Sequence, residues 1–350
     1  MNNAYNFAAI RGVQAGRAFY VVMVPLKTVE RLFSFDDTDL PVRLRAQREL
    51  NRTRIPAIAR YLTENAGEYV LSALSASIGG KFAFESSGSN RSVGSLAIDM
   101  AATILINDGQ HRRAGIIEAL RDRPALGDET IAVTMFPDEG LERSQQMFVD
   151  LNQHGVKPAR SLRLFYDARD EGARLTRAVA DAIPLFREMT DFTRSNLAVR
   201  SPKLFAFSNL HTAVATLVAD ASLSATPEDP STAVEFWEAV IENMPDWTAA
   251  GRREITTTDL RRDTIHAHGV ALEAIAVAGA RMINERPATW RQALTALGKV
   301  DWSRGNRRNW EGRVLVNGRI NRSSTSVLLT AELISRSVPP EVADGESQTR

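Results

Sequence analysis

Asp108-Gly109-Gln110-His111-Arg112-Arg113-Ala114-Gly115 is the stretch of this chain whose residue types could do chemistry. It sets a carboxylate, an amide, an imidazole and two guanidiniums side by side. It follows an apolar run, Ala101 to Ile106, and precedes Ile116, Ile117, Ala119 and Leu120 at helical spacing. The pattern predicts a buried strand, a tight Asp-Gly turn and a helix. Gln, His and two Arg then occupy the first helical turn, beside backbone N–H groups with no intrahelical acceptor, where phosphates bind. Asp108, Gly109, Gln110, His111, Arg112 and Arg113 are therefore the candidate phosphate- or nucleotide-binding residues. The spacing also suits a structural turn, with Arg112 and Arg113 solvated or paired with Glu118 or Asp122 along the helix.

Two arginine clusters point to a polyanion partner. Residues 43–60 hold Arg43, Arg45, Arg48, Arg52, Arg54 and Arg60 against Glu49. Residues 299–322 hold Lys299, Arg304, Arg307, Arg308, Arg313, Arg319 and Arg322 against Asp301 and Glu311, interleaved with Trp302 and Trp310. Charge for phosphates and rings for bases are what a nucleic-acid surface needs. Arg43, Arg45, Arg48, Arg52, Arg54, Arg304, Arg307, Arg308, Arg313 and Trp302 are the candidate DNA-binding residues. The plainer alternative is a solvated arginine face with both tryptophans in the core. Arg252-Arg253 and Arg261-Arg262 add to the basic surface.

The remaining constellations are weaker. Asp150 could act as a base or hold magnesium, but a helix-end Asp also serves as a cap. Asp108, His111 and Asp150 are the catalytic candidates. His266 and His268 are two residues apart, off a common helix face, and no metal-site spacing surrounds them, so no metal is expected. His154 reads as a loop histidine.

Composition sets the frame. The chain has 350 residues, a formal net charge of +1 and no cysteine, which excludes disulfides, thiolate catalysis and cysteine-bound metal. Of 43 basic residues only Lys27, Lys81, Lys157, Lys203 and Lys299 are lysine, a bias that a GC-rich genome also produces. No apolar run reaches membrane-spanning length, and the run Val270 to Ala280 reads as a buried helix. No secretory signal is legible, so a cytoplasmic location is expected.

The elements that must position these residues divide in two. Strands are predicted at 19–24, 69–77, 98–106 and 130–136, with a hairpin turn at Gly79-Gly80 and a polar loop at 88–93. Helices are predicted across 41–63 with a break near Arg54-Ile55-Pro56, after the motif to Arg121, and at 141–151. The order is that of an α+β domain, placed at residues 1–157. Residues 158–338 have helical spacing and few strand signals, with a loop at 220–231, and predict a mainly helical domain. Residues 339–350 are expected to be disordered.

The motif and several further segments carry a resemblance. The octet resembles the DGQHR motif. The chain from about residue 8 to 335 is similar to the DndB family of DNA phosphorothioation (DNA-sulfur modification) proteins. The segments that carry it are Arg45–Arg52 with Arg54-Ile55-Pro56, Gln145–Asn152, Asp301–Arg304 and Asn309–Arg313. The resemblance implies a ParB/sulfiredoxin-like first domain with a Gly-Glu-Arg-Arg element at a strand-to-helix turn. Gly109, Gln110, His111 and Arg112 match its positions; Gln110 and His111 depart from its residue types. It also implies a double-stranded-DNA-binding repressor of the modification genes, active in bacterial defence, as a homo-oligomer alongside other proteins of the system. Two alternatives stand beside it. One is an enzyme that hydrolyses a nucleotide or a phosphodiester, using a nucleotide with Mg²⁺ held by Asp108 or Asp150 while His111 and Arg112 hold phosphate oxygens. The other is a scaffold of the modification complex.

Overall fold

The computed structural model describes residues 3–33, 50–140, 142–143, 146–147, 150–151, 158–221 and 223–338. The chain divides into two compact units, Met1–Val156 and Lys157–Arg350.

The first unit is built on a mixed seven-stranded sheet. Its strands are β1 (Ala4–Gln14), β2 (Arg17–Pro25), β3 (Leu74–Gly79), β4 (Phe82–Ser86), β5 (Val93–Asp99), β6 (Thr103–Asp108) and β7 (Thr130–Pro137). Their order is β4-β5-β1-β2-β7-β3-β6, and only the β3–β7 pair is parallel. One face is apolar. Val22, Val24, Leu74, Ala76, Ile104, Ile106 and Val133 pack there with Leu62 of α2 (Ile55–Glu64) and Ile116 of α3 (Gln110–Asp122), after the short α1 (Val29–Leu32). The alternation along each strand, and the 3.6-residue repeat along α2 and α3, bury these positions together. Gly115, the last residue of the octet, has Ile58 where its Cβ would stand, at 2.4 Å, so glycine lets α2 and α3 close together.

Gly79-Gly80 does not close a two-stranded hairpin, correcting the expectation. Gly79 pairs with Thr103, and Phe82 with Ile98. β3–β4 and β5–β6 are therefore two halves of one long hairpin, bent at Gly80 and at residues 100–102, with its tip at 87–92. The bend sends the outer half to β1 and the inner half to β7. This bend also breaks the single strand expected over 98–106. Gly80 takes φ +119°, a left-handed conformation that suits glycine. The strand expected from Tyr69 begins only at Leu74. Tyr69 N–H donates to Asn65 O at 2.8 Å and Val70 N–H to the Tyr61 hydroxyl at 2.9 Å, so this backbone is spent on the end of α2 instead of a ladder. β1 was not anticipated. The helix expected within 41–54 falls mostly outside the described residues, as do His154 and the tail from 339.

The second unit carries α4 (Arg160–Tyr166), α5 (Glu171–Ala182), α6 (Pro184–Met189), α7 (Phe207–Asp220), α8 (Ser231–Glu242), α9 (Pro245–Gly251), α10 (Thr257–Asp263), α11 (Gly269–Glu285), α12 (Trp290–Ala293), α13 (Arg307–Trp310) and α14 (Ser324–Arg336). Two two-stranded ladders join them: β8 (Thr190–Asp191) with β9 (Phe205–Ala206), and β10 (Leu315–Val316) with β11 (Arg319–Ile320). α11 is the central helix, buried at every position from Gly269 to Ala280 except Glu273, as an apolar run broken only there requires. A line of aromatic rings runs through this core. Phe205 lies 5.0 Å from Trp247, Trp247 lies 6.3 Å from His266, His266 lies 5.7 Å from Trp302, and Trp302 stacks on Trp310 at 5.4 Å.

Candidate nucleic-acid interface and the glycine-turn motif

Asp108 ends β6, Gly109 turns the chain with φ +105°, and Gln110 opens α3. A Cβ on Gly109 would lie 2.3 Å from Leu74 Cδ2 and 3.2 Å from the Arg112 guanidinium, so both backbone and space call for glycine. The two arginines of the motif turn inward onto protein. Arg112 Nη2 pairs with the Asp108 carboxylate, while Nη1 donates to Ser72 O at 2.9 Å, Ala73 O at 2.8 Å and the Ser72 hydroxyl. Its side chain is 19% exposed. Arg113 Nη2 donates to Glu30 O and Phe33 O, both at 3.1 Å, and burial lowers its guanidinium below the ordinary range. His111 Nε2 accepts the Asn51 N–H at 3.0 Å, which places the ring proton of the neutral form on Nδ1. The motif thus draws three segments, 30–33, 51 and 72–73, onto the start of α3.

Gln110 is 7% exposed and its Nε2 has no hydrogen-bond partner among the described residues. Asn107, 1% exposed, donates to Ser77 Oγ at 2.8 Å while its Oδ1 is unpaired. Asn107 was not singled out from sequence; a polar residue inside the apolar run was the available signal. Asp150 accepts from Gln146 Nε2 at 2.7 Å on an exposed helical turn. Among the described residues no group of three His, Asp or Glu could hold a metal ion, and no helix is long and apolar enough to cross a membrane.

The motif adjoins the first arginine cluster through His111. Asn51 caps the 3₁₀ turn Arg52–Arg54, its side chain accepting the Thr53 N–H at 3.1 Å, and Arg52 and Arg54 are exposed. Arg43, Arg45 and Arg48 lie outside the described residues.

The second cluster is sorted by its tryptophans. Trp302 is buried, with Nε1–H donating to Leu297 O at 2.9 Å, and Trp310 is fully buried, with Nε1–H donating to Asp301 O at 3.1 Å. Trp302 therefore forms the platform and presents no ring face for bases. Trp310 anchors one side of the short helix α13, whose N-cap Asn306 accepts the Asn309 N–H at 3.2 Å. That leaves Arg307 and Arg308 outward and exposed. The hairpin β10–β11 turns at Asn317-Gly318, both with positive φ, the pattern of a tight two-residue turn, and sets Arg319 at the surface.

The local acids hold the backbone of this segment. Asp301 accepts from Ser303 N–H at 2.9 Å and Asn306 Nδ2 at 2.8 Å, and Glu311 accepts from Asn317 N–H at 2.8 Å. Arg304 and Arg313 are structural too, donating to Gly318 O and Asn309 O, each at 2.6 Å. Arg307, Arg308, Arg319 and Arg322 make no ion pair among the described residues. A shallow cleft of about 510 Å³ borders Arg307, lined also by Arg262, Asp263, Ser303 and Arg304.

The buried histidines are fixed in the core. His266 Nδ1 accepts from Trp247 Nε1 at 3.0 Å and its Nε2–H faces Asp246 Oδ2 at 3.0 Å. His268 Nε2 donates to Arg261 O at 2.9 Å; burial first, then nearby Arg322, Arg304 and Arg261, push its pKa down to about 4.

A sheet-and-helix unit with a locked glycine turn, followed by a helical unit whose Arg307, Arg308, Arg319 and Arg322 make no ion pair among the described residues, defines a mixed α/β protein. The chain belongs to the DndB family, described as DNA-sulfur modification-associated, whose family model matches residues 7–339, nearly its whole length. No curated protein and no solved structure matches the chain.

Proposed function

We propose that this protein is a double-stranded-DNA-binding regulator, a repressor, of a DNA-sulfur modification system. The observation that carries it is the set Arg307, Arg308, Arg319 and Arg322, which make no ion pair among the described residues, while the neighbouring acids Asp301 and Glu311 accept from Ser303 N–H, Asn306 Nδ2 and Asn317 N–H. Four guanidiniums on one segment with no ion pair among the described residues suit phosphate contacts, which dominate affinity and make it salt-dependent. Arg52 and Arg54 in the first unit offer a second contact. The DGQHR turn serves this reading by fixing Asn51, and with it the Arg52–Arg54 turn, to α3. The first unit is proposed to be of ParB/sulfiredoxin type on the strength of its mixed sheet and strand–glycine–helix turn.

The test is binding to the promoter duplex of the modification genes, followed by fluorescence anisotropy over a salt series. A steep loss of affinity with rising salt is expected; an association indifferent to salt contradicts the proposal.

A second reading rests on Gln110. Its buried, unpaired Nε2 donor at the first position of a 13-residue helix suits an anionic acceptor such as a nucleotide phosphate. Hydrogen exchange at the start of α3 that an added nucleotide leaves unchanged removes this reading.

A further inference from the structure

The second unit contains a cleft that the DNA-binding surface does not use. It has a volume of about 460 Å³ and lies between the end of α6, the loop 199–203 and the turn from α9 to α10. One part of its wall is apolar, from Met189, Pro202, Ala250 and Ile255. The other part carries Arg200, Lys203 and Arg253, with Glu188 as the one acid among its lining residues.

The loop that carries Arg200 and Lys203 is held in shape by the protein. The Arg261 guanidinium donates to Lys203 O at 2.6 Å, Ser201 O at 2.8 Å and Val199 O at 3.0 Å. The buried Thr257 hydroxyl donates to Ser201 O at 2.6 Å. On the opposite wall Arg253 has φ +62°, a left-handed backbone where glycine or asparagine is usual. This is the left-handed residue that closes α9, with the Arg253 N–H donating to Ala250 O at 3.1 Å and the Glu254 N–H to Ala249 O at 2.9 Å. Lys203 Nζ donates to the Glu188 backbone carbonyl, and Arg200 and Arg253 have no ion pair among the described residues.

Two arginines that line a concave site and make no ion pair among the described residues match the oxygens of a phosphate, which a guanidinium binds as a fork. The apolar wall matches a ring system attached to that phosphate. The volume admits one nucleotide, not a duplex backbone. We infer that this cleft binds a phosphate-bearing small molecule of mononucleotide size, with the phosphate at Arg200 and Arg253 and the base against Met189, Pro202 and Ile255. The inference is independent of the DNA-binding reading.

The full-length protein, wild type and R200A/R253A, is titrated by calorimetry with AMP, GMP, CMP and UMP, with the corresponding nucleosides and with inorganic phosphate. At least one mononucleotide is expected to bind the wild type. Its nucleoside and inorganic phosphate should each bind at least tenfold more weakly. The double variant should lose at least tenfold in affinity while keeping its melting temperature and its affinity for DNA, and Gln110→Leu should leave the binding unchanged. The inference is overturned if no mononucleotide binds, or if R200A/R253A retains wild-type affinity. It is equally overturned if inorganic phosphate binds as tightly as the nucleotide, if the double variant loses DNA binding instead, or if Gln110→Leu abolishes nucleotide binding.

Discussion

Replacing Arg112 by Ala should destabilise the first unit without weakening DNA binding by the folded protein. The side chain contributes an ion pair to Asp108 and hydrogen bonds to the Ser72 and Ala73 carbonyls. A buried charge-assisted hydrogen bond is worth about 1.5–3 kcal/mol. Ser72 and Ala73 are exposed, so water replaces the lost donor, and about 1 kcal/mol for the two carbonyls together is the fairer figure. The Asp108 carboxylate is 40% exposed, which holds its pair to about 1 kcal/mol. With the packing of a stem that is 19% exposed, the loss comes to about 2–3 kcal/mol. For a unit of this size that lowers Tm by about 5–10 °C. Arg112→Lys should fall between, since one ammonium keeps the attraction to Asp108 but cannot span both carbonyls. Calorimetry gives the Tm, and anisotropy at a temperature where both proteins are folded gives the DNA affinity. An Arg112→Ala protein that melts within about 1 °C of wild type yet loses DNA affinity would show that the guanidinium acts on a ligand and not on the fold.

Gly109→Ala should cost about 2–5 kcal/mol, from a left-handed φ and a Cβ set 2.3 Å from the fully buried Leu74. Gly88→Ala, with φ +66° in open space, should cost about 1 kcal/mol in the same urea titration; equal losses would show that crowding at Leu74 is not what limits the motif. His268 should make stability fall as pH drops from the ordinary histidine range toward 4. Its folded pKa is depressed, so between those values the unfolded chain binds the extra proton and stability rises with pH, by up to about 3 kcal/mol. Urea midpoints at pH 7 and pH 5 measure this slope, and His268→Gln should flatten it; a slope unchanged in that variant assigns the effect elsewhere.

The sequence carried most of the local chemistry and little of the register. The strand–glycine–helix turn at 108–110 was legible because an apolar run, an Asp-Gly pair and a helical repeat meet there. α11 was legible because an apolar run of that length, broken only by Glu273, has to be buried. β1 was missed, since Phe7 and Ala9 alternate with exposed Ala8 and Ile10 and the inward set is weakly apolar. The bent hairpin was missed because Gly79-Gly80 marks a turn locally while the partners of its two arms, β7 and β1, are set by the whole sheet. At the candidate sites, residue type showed that arginine is concentrated. It did not show that Arg112, Arg113, Arg304 and Arg313 are spent on carbonyls while Arg307, Arg308 and Arg319 are not. That division depends on which loop each guanidinium meets, a tertiary fact with no local signature.

That division is tested by the salt dependence of promoter-duplex binding by wild type, R307E/R308E and Arg112→Lys at equal folded fraction. R307E/R308E should lose at least tenfold in affinity and show a shallower salt slope, by roughly one per phosphate contact removed. Arg112→Lys should keep both at wild-type values. The reverse pattern, with R307E/R308E binding normally and Arg112→Lys failing to bind while folded, would contradict the account and move the DNA surface to the glycine turn.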